Sequence, residues 1–97
     1  MQIQKTDFKG LLVLQPNKYT DNRGSFYESW NKEVFKKIGL DIDFVQDNQS
    51  YSHKHVLRGL HFQNPPNAQG KLVRVTRGIA LDVVVDLRKK SSTFGKY

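Results

Sequence analysis

At 97 residues, 37% of them hydrophobic, the chain has room for a single small domain over residues 1–97 with a modest core. It contains no cysteine, which excludes a disulfide scaffold, a thiolate metal site and a thiol nucleophile. No apolar run is long enough to cross a bilayer, and Met1-Gln2-Ile3-Gln4-Lys5 lacks the features of a secretory signal, so a cytoplasmic protein is expected.

Sixteen Lys and Arg against nine Asp and Glu give a formal charge of +7. That balance suits a polyanionic partner: nucleic acid, an acidic membrane surface or a phosphorylated small molecule. The cations are scattered, however, with only Lys36-Lys37 and Arg88-Lys89-Lys90 as short runs, and solvated surface accounts for those.

In chain order, Leu11-Leu12-Val13-Leu14 reads as a strand ended by a turn at Gln15-Pro16-Asn17. Residues Tyr19 to Gly24 are turn-rich, and Ser25 to Trp30 resume with strand-like aromatics. A helix is predicted from Lys32 to Ile38, with Asn31 as N-cap, Glu33 in its first turn, Lys36 and Lys37 in its last and Gly39 as its stop. From Asp43 onward the pattern is β: strands at 44–52, 56–63, 71–76 and 79–88, with a Pro65-Pro66 loop between the second and third. In the last strand Ile79, Leu81, Val83, Val85 and Leu87 share one face. Short strands separated by Gly and Pro turns predict an antiparallel sandwich or barrel. The strands counted are too few for a closed eight-stranded barrel, so either a partner chain completes the sheet or the chain is part of a longer protein.

Chemistry-bearing residues cluster in two places. In Val56-Leu57-Arg58-Gly59-Leu60-His61-Phe62-Gln63, strand parity puts His61 and Gln63 on one face, and Gly59 allows a bulge that turns Arg58 towards them. If this strand pairs with the one begun by Lys71, the two cations lower the pKa of His61 and leave it neutral, ready to accept a proton. A hydrogen-bonded structural histidine fits the same pattern. His53 and His55 form a His-x-His pair, but no carboxylate follows before Asp82, and exposed loop histidines explain them better than a metal site does. The second cluster is Arg23-Gly24, Phe26 and Glu28, a cation, a ring and a carboxylate able to serve a nucleotide, although aromatics in a strand also serve a core. No phosphate-binding glycine loop and no nucleophile elbow occurs.

The ordered strings are Asp21-x-Arg23-Gly24-x-Phe26-x-Glu28, Gln46-Asp47-Asn48-x-Ser50-x-Ser52, Val56 to Gln63, Gln69-Gly70-Lys71-Leu72-Val73-Arg74-Val75, and Asp82-Val83-x-Val85-Asp86-Leu87-Arg88 followed by Ser91 and Thr93-Phe94-Gly95. Together they resemble the dTDP-4-dehydrorhamnose 3,5-epimerase family. The resemblance implies an all-β, cupin-type jelly roll, here the N-terminal half of the barrel with one short helix. It also implies a homodimer with exchanged N-terminal strands, a dTDP-4-keto-6-deoxy sugar as substrate, and neither nucleic acid nor membrane as partner. No metal or cofactor is implied: Gln63 stands where metal-binding cupins carry the second histidine. By the family pattern His61 is the catalytic base, Lys71 stabilises an enolate at the C4 oxygen, Gln46, Asn48 and Arg58 line the sugar and diphosphate, and Arg23, Phe26 and Glu28 hold the nucleotide, with Phe26 reaching a neighbouring subunit's site. Family members run to roughly twice this length, and their second half carries a tyrosine acid and an acidic partner for the base; Tyr97 and Asp82 match neither. The expectation is an epimerase incomplete for want of its acid. The alternatives are a non-catalytic dTDP-sugar-binding module or remnant, a keto-isomerase on the same barrel, and a nucleic-acid binder.

Overall fold

The computed structural model describes all 97 residues. Regular structure comprises four strands, β1 (Gln2–Lys5), β2 (Leu12–Gln15), β3 (Lys18–Asp21) and β4 (Gly24–Tyr27), followed by one helix, α1 (Lys32–Lys37). This agrees with an all-β class carrying one short helix.

The strands form two separate antiparallel hairpins. In β1–β2, Ile3 lies opposite Leu14 and Lys5 opposite Leu12. The connection is tightened by Thr6, whose hydroxyl accepts from the Phe8 N–H at 3.1 Å and donates to the Leu11 carbonyl at 2.9 Å, a local alternative to ladder bonding that Thr favours in turns. In β3–β4, Lys18 faces Tyr27, Tyr19 faces Phe26, Thr20 faces Ser25 and Asp21 faces Gly24. Only Asn22 and Arg23 remain for the loop. The stretch 19–24, expected as turn, is therefore mostly strand, because a two-residue loop needs no more chain.

Helix α1 forms as its end signals predict. The Asn31 side chain, on extended backbone, accepts from the Val34 N–H at 3.2 Å. At the far end Gly39, at φ +85, donates to the Lys36 carbonyl while Leu40 donates to that of Phe35. This paired closure is the Schellman arrangement, for which glycine supplies the left-handed residue. Phe35 is the only buried apolar side chain. It meets Phe44 edge-on at 6.5 Å, and Phe44 meets Trp30 edge-on at 6.1 Å; an ion pair from Lys32 to Asp43 flanks the cluster.

The segments 44–52, 56–63, 71–76 and 79–88, expected as strands, form no ladder. Apart from Phe44 and Val85 their apolar residues face solvent: Leu57 is 92% exposed and Ile79 fully so. Alternating side chains favour an extended backbone, but a strand persists only where neighbours pair its N–H and C=O groups, and here no neighbour does. The chain holds 23 backbone hydrogen bonds, roughly a third of what a packed domain of this length carries. Its radius of gyration is 15.7 Å, against about 13 Å for a compact domain of that size.

One long-range tie closes the molecule. Residues 86–96 form a loop in which Asp86 donates to the Lys96 carbonyl at 3.0 Å and accepts from the Gly95 N–H at 2.7 Å. Arg88 then reaches the Lys9 carbonyl in the β1–β2 connection at 2.6 Å. Turns at residues 89–90 and 92–95 shape this loop.

Candidate active site

Strand parity builds the first part of the site. Tyr19 and Phe26, directly opposed across β3–β4, lie on one face, 65% and 70% exposed. Asp21 and Gly24, two residues along, share that face. At the tip Asp21 Oδ1 accepts from the Arg23 N–H at 2.8 Å, and Oδ2 accepts from Arg23 Nε at 3.1 Å and Nη2 at 2.6 Å. The Arg23 guanidinium beside Asp21 holds that carboxyl below the usual carboxylate range, and the backbone N–H adds to the effect. Arg23, Phe26, Tyr19 and Asp21 line one open groove of about 510 Å³. Glu28 lies just beyond β4 and accepts from Asn31 Nδ2 at 3.0 Å, which couples it to the helix cap rather than to the groove.

The remaining expected residues stand on unpaired backbone. Gln46 donates to Asn48 Oδ1 at 3.1 Å, so these two are brought together. Arg58 folds back on the segment before it, donating to Ser52 Oγ at 2.9 Å and to the Tyr51 carbonyl at 3.2 Å. Gly59, at φ +123, turns the chain beside His61: a Cβ there would lie 3.8 Å from the His61 nitrogen and 4.0 Å from its Nδ1. His61 and Lys71 are both exposed, and no hydrogen bond joins them. The hairpin expected to bring them together around the Pro-Pro loop is not formed, because neither flank finds ladder partners. No three His, Asp or Glu side chains gather closely enough to hold a metal, and no helix is long and apolar enough to cross a membrane.

Two polar groups stand in the motif strings but were given no role from sequence. Asp21 is one; a carboxylate two residues before an arginine, with glycine next, signals a side chain that closes its own turn. The other is Asp86, the only buried polar residue. Its oxygens accept from Arg88 Nε at 2.8 Å and Nη2 at 2.7 Å, and from the Ser91 and Thr93 hydroxyls, each at 2.6 Å. The Arg88 guanidinium, then the two hydroxyls, hold this carboxyl far below the usual range. Its legible signal was the run of Arg88, Ser91 and Thr93 downstream, donors at turn-compatible spacing.

A family profile described as dTDP-4-dehydrorhamnose 3,5-epimerase matches residues 5–97. Relatives named dTDP-4-dehydrorhamnose 3,5-epimerase include one from Methanothermobacter thermautotrophicus, 53% identical over 93 residues, covering 96% of this chain and 50% of the relative. The Salmonella typhimurium relative is 52% identical over 98 residues, covering all of this chain and 54% of the relative; that from Escherichia coli is 50% identical, covering all of this chain and 53% of the relative. The chain belongs to the dTDP-4-dehydrorhamnose 3,5-epimerase family. It spans about half the length of the relatives it matches. No solved structure gives a significant match.

Proposed function

We propose that these residues are the base-bearing half of a dTDP-4-dehydro-6-deoxyglucose 3,5-epimerase. The observation that carries the reading is the family match over residues 5–97, a span that includes every residue of the motif strings. The substrate's C4 ketone acidifies the hydrogens on its neighbouring carbons. His61 takes one of them, the electron pair moves into the carbonyl, and Lys71 stabilises the resulting enolate through its positive charge. Return of a proton on the opposite face inverts the centre, and repetition at the second carbon completes the reaction with no redox change. Gln46, Asn48 and Arg58 line the sugar and diphosphate, while Arg23, Phe26 and Glu28 hold the nucleotide.

In this reading the acid that returns the proton lies outside these 97 residues. The unpaired segments 44–52, 56–63, 71–76 and 79–88 are jelly-roll strands whose partners come from beyond them and from a second subunit through exchanged N-terminal strands. The exposure of Phe26 on the face of β4 supports its reach into a neighbouring site. The protein works in the cytoplasm.

A second reading, a dTDP-sugar-binding module without turnover, is favoured by one observation: His61 has no hydrogen-bonded carboxylate or hydroxyl to orient it. The two separate by NMR of the sugar ring during incubation with this chain, with a full-length relative in parallel. The epimerase reading expects the relative to accumulate doubly inverted product, and this chain to wash out substrate hydrogens without accumulating it. Binding of dTDP with no wash-out favours the module; neither binding nor wash-out overturns both.

A further inference from the structure

Arg23 is the cation that the proposed function sets against the nucleotide, yet its side chain is 86% exposed on a two-residue loop. An arginine so placed samples many rotamers, and ordering it on binding would cost affinity. Asp21 removes that freedom. Parity puts Asp21 on the same face as Tyr19 and Phe26, so a guanidinium tied to it is drawn to the ring-bearing side of the hairpin, and all four residues line one groove. The tie is directional. Asp21 Oδ2 occupies the Nε–Nη2 edge of the guanidinium, leaving the Nη1–Nη2 end, with its two parallel donors, open to a pair of phosphate oxygens.

We propose that Asp21 is a positioning residue that fixes the Arg23 guanidinium for the diphosphate of the nucleotide. This rests on the reading above and deepens it: Asp21 touches no substrate atom and acts through Arg23. An exposed ion pair of this kind contributes little to stability, so the tie between the two side chains is explained by orientation. The second bond, from the Arg23 N–H to Asp21 Oδ1, sets the turn itself, and an asparagine can keep it.

The test uses titration calorimetry of this chain with dTDP and, separately, with thymidine. Asp21→Asn preserves the turn acceptor but removes the charge that orients the fork. It should weaken dTDP binding roughly five- to tenfold and leave thymidine binding unchanged. Adding D21N to Arg23→Ala should produce no further loss, since the residue through which Asp21 acts is gone. Equal dTDP affinity in D21N overturns the proposal, and so does tighter binding, which would make Asp21 a competitor of the phosphate. A parallel loss of thymidine affinity, or additive losses in the double variant, would make the effect structural and also overturn it. If the wild-type chain binds no dTDP, the proposal falls together with the functional reading; if only the D21N result fails, that reading stands.

Discussion

Asp86 and His61 mark the two extremes of what a polar side chain meets in this chain. Asp86 is buried and fully bonded, by one guanidinium, two hydroxyls and the Arg88 N–H; His61 is exposed and keeps both ring nitrogens for other work. A carboxylate held by that many donors stays ionised in the folded state well below its ordinary value of 3.8. Protons then bind the unfolded chain first as pH falls, so the stability this cluster supplies is complete above the ordinary value and is lost as pH drops towards the folded one. Acid unfolding followed by tryptophan fluorescence should therefore steepen below about pH 4 in the wild type. Asp86→Asn should be less stable at neutral pH and lack that acid-side component. An unchanged acid limb in D86N would detach Asp86 from the stability of the 86–96 loop.

At the scale of elements, the pieces that form are those with local instructions. Helix α1 has a cap at each end, and each hairpin has a short loop closed by a side chain, Thr6 in one and Asp21 in the other. The helix is too short to persist alone and depends on Phe35 packing against Phe44, which packs against Trp30. Phe35→Ala should cost about 3 kcal/mol, the low end for a buried phenylalanine because so open a surround can collapse. Urea unfolding checks the value, and a change under 0.5 kcal/mol would mean the aromatic cluster does not hold the helix. The helix, β2 and β4 were legible in sequence for that reason: Asn31 and Gly39 announce the helix, and Leu12 to Leu14 and Phe26 their strands, whereas β3 lies in the stretch expected as turn. The segments after residue 43 were legible as extended chain but not as ladder. Val45, Leu57, Leu81 and their neighbours encode which face they would bury, while what they bury it against lies in the pairing of distant chain, which alternation does not specify. The site divides in the same way. The groove of Arg23 and Phe26 and the Gln46–Asn48 bond follow from neighbours in sequence, whereas the meeting of His61 and Lys71 that the proposed function requires would depend on non-local pairing.

At the scale of the molecule, the chain exposes Ile79, Leu81 and Leu57 and ties its two ends through Arg88 and the Lys9 carbonyl, which the proposed function reads as part of a larger sheet assembly. The family match over residues 5–97 supports the proposed chemistry, and the chain spans 50–54% of the length of these relatives. The central claim is that His61 removes a hydrogen next to the substrate ketone. Its most direct test is mass-spectrometric detection of solvent deuterium at C3 and C5 of dTDP-4-dehydro-6-deoxyglucose, with wild-type chain and His61→Asn side by side in deuterium oxide. The account predicts incorporation by the wild type above the uncatalysed background and a drop of about 10²- to 10⁴-fold in H61N, the range for loss of a general base. Equal incorporation by the two proteins, or none by the wild type, would contradict it.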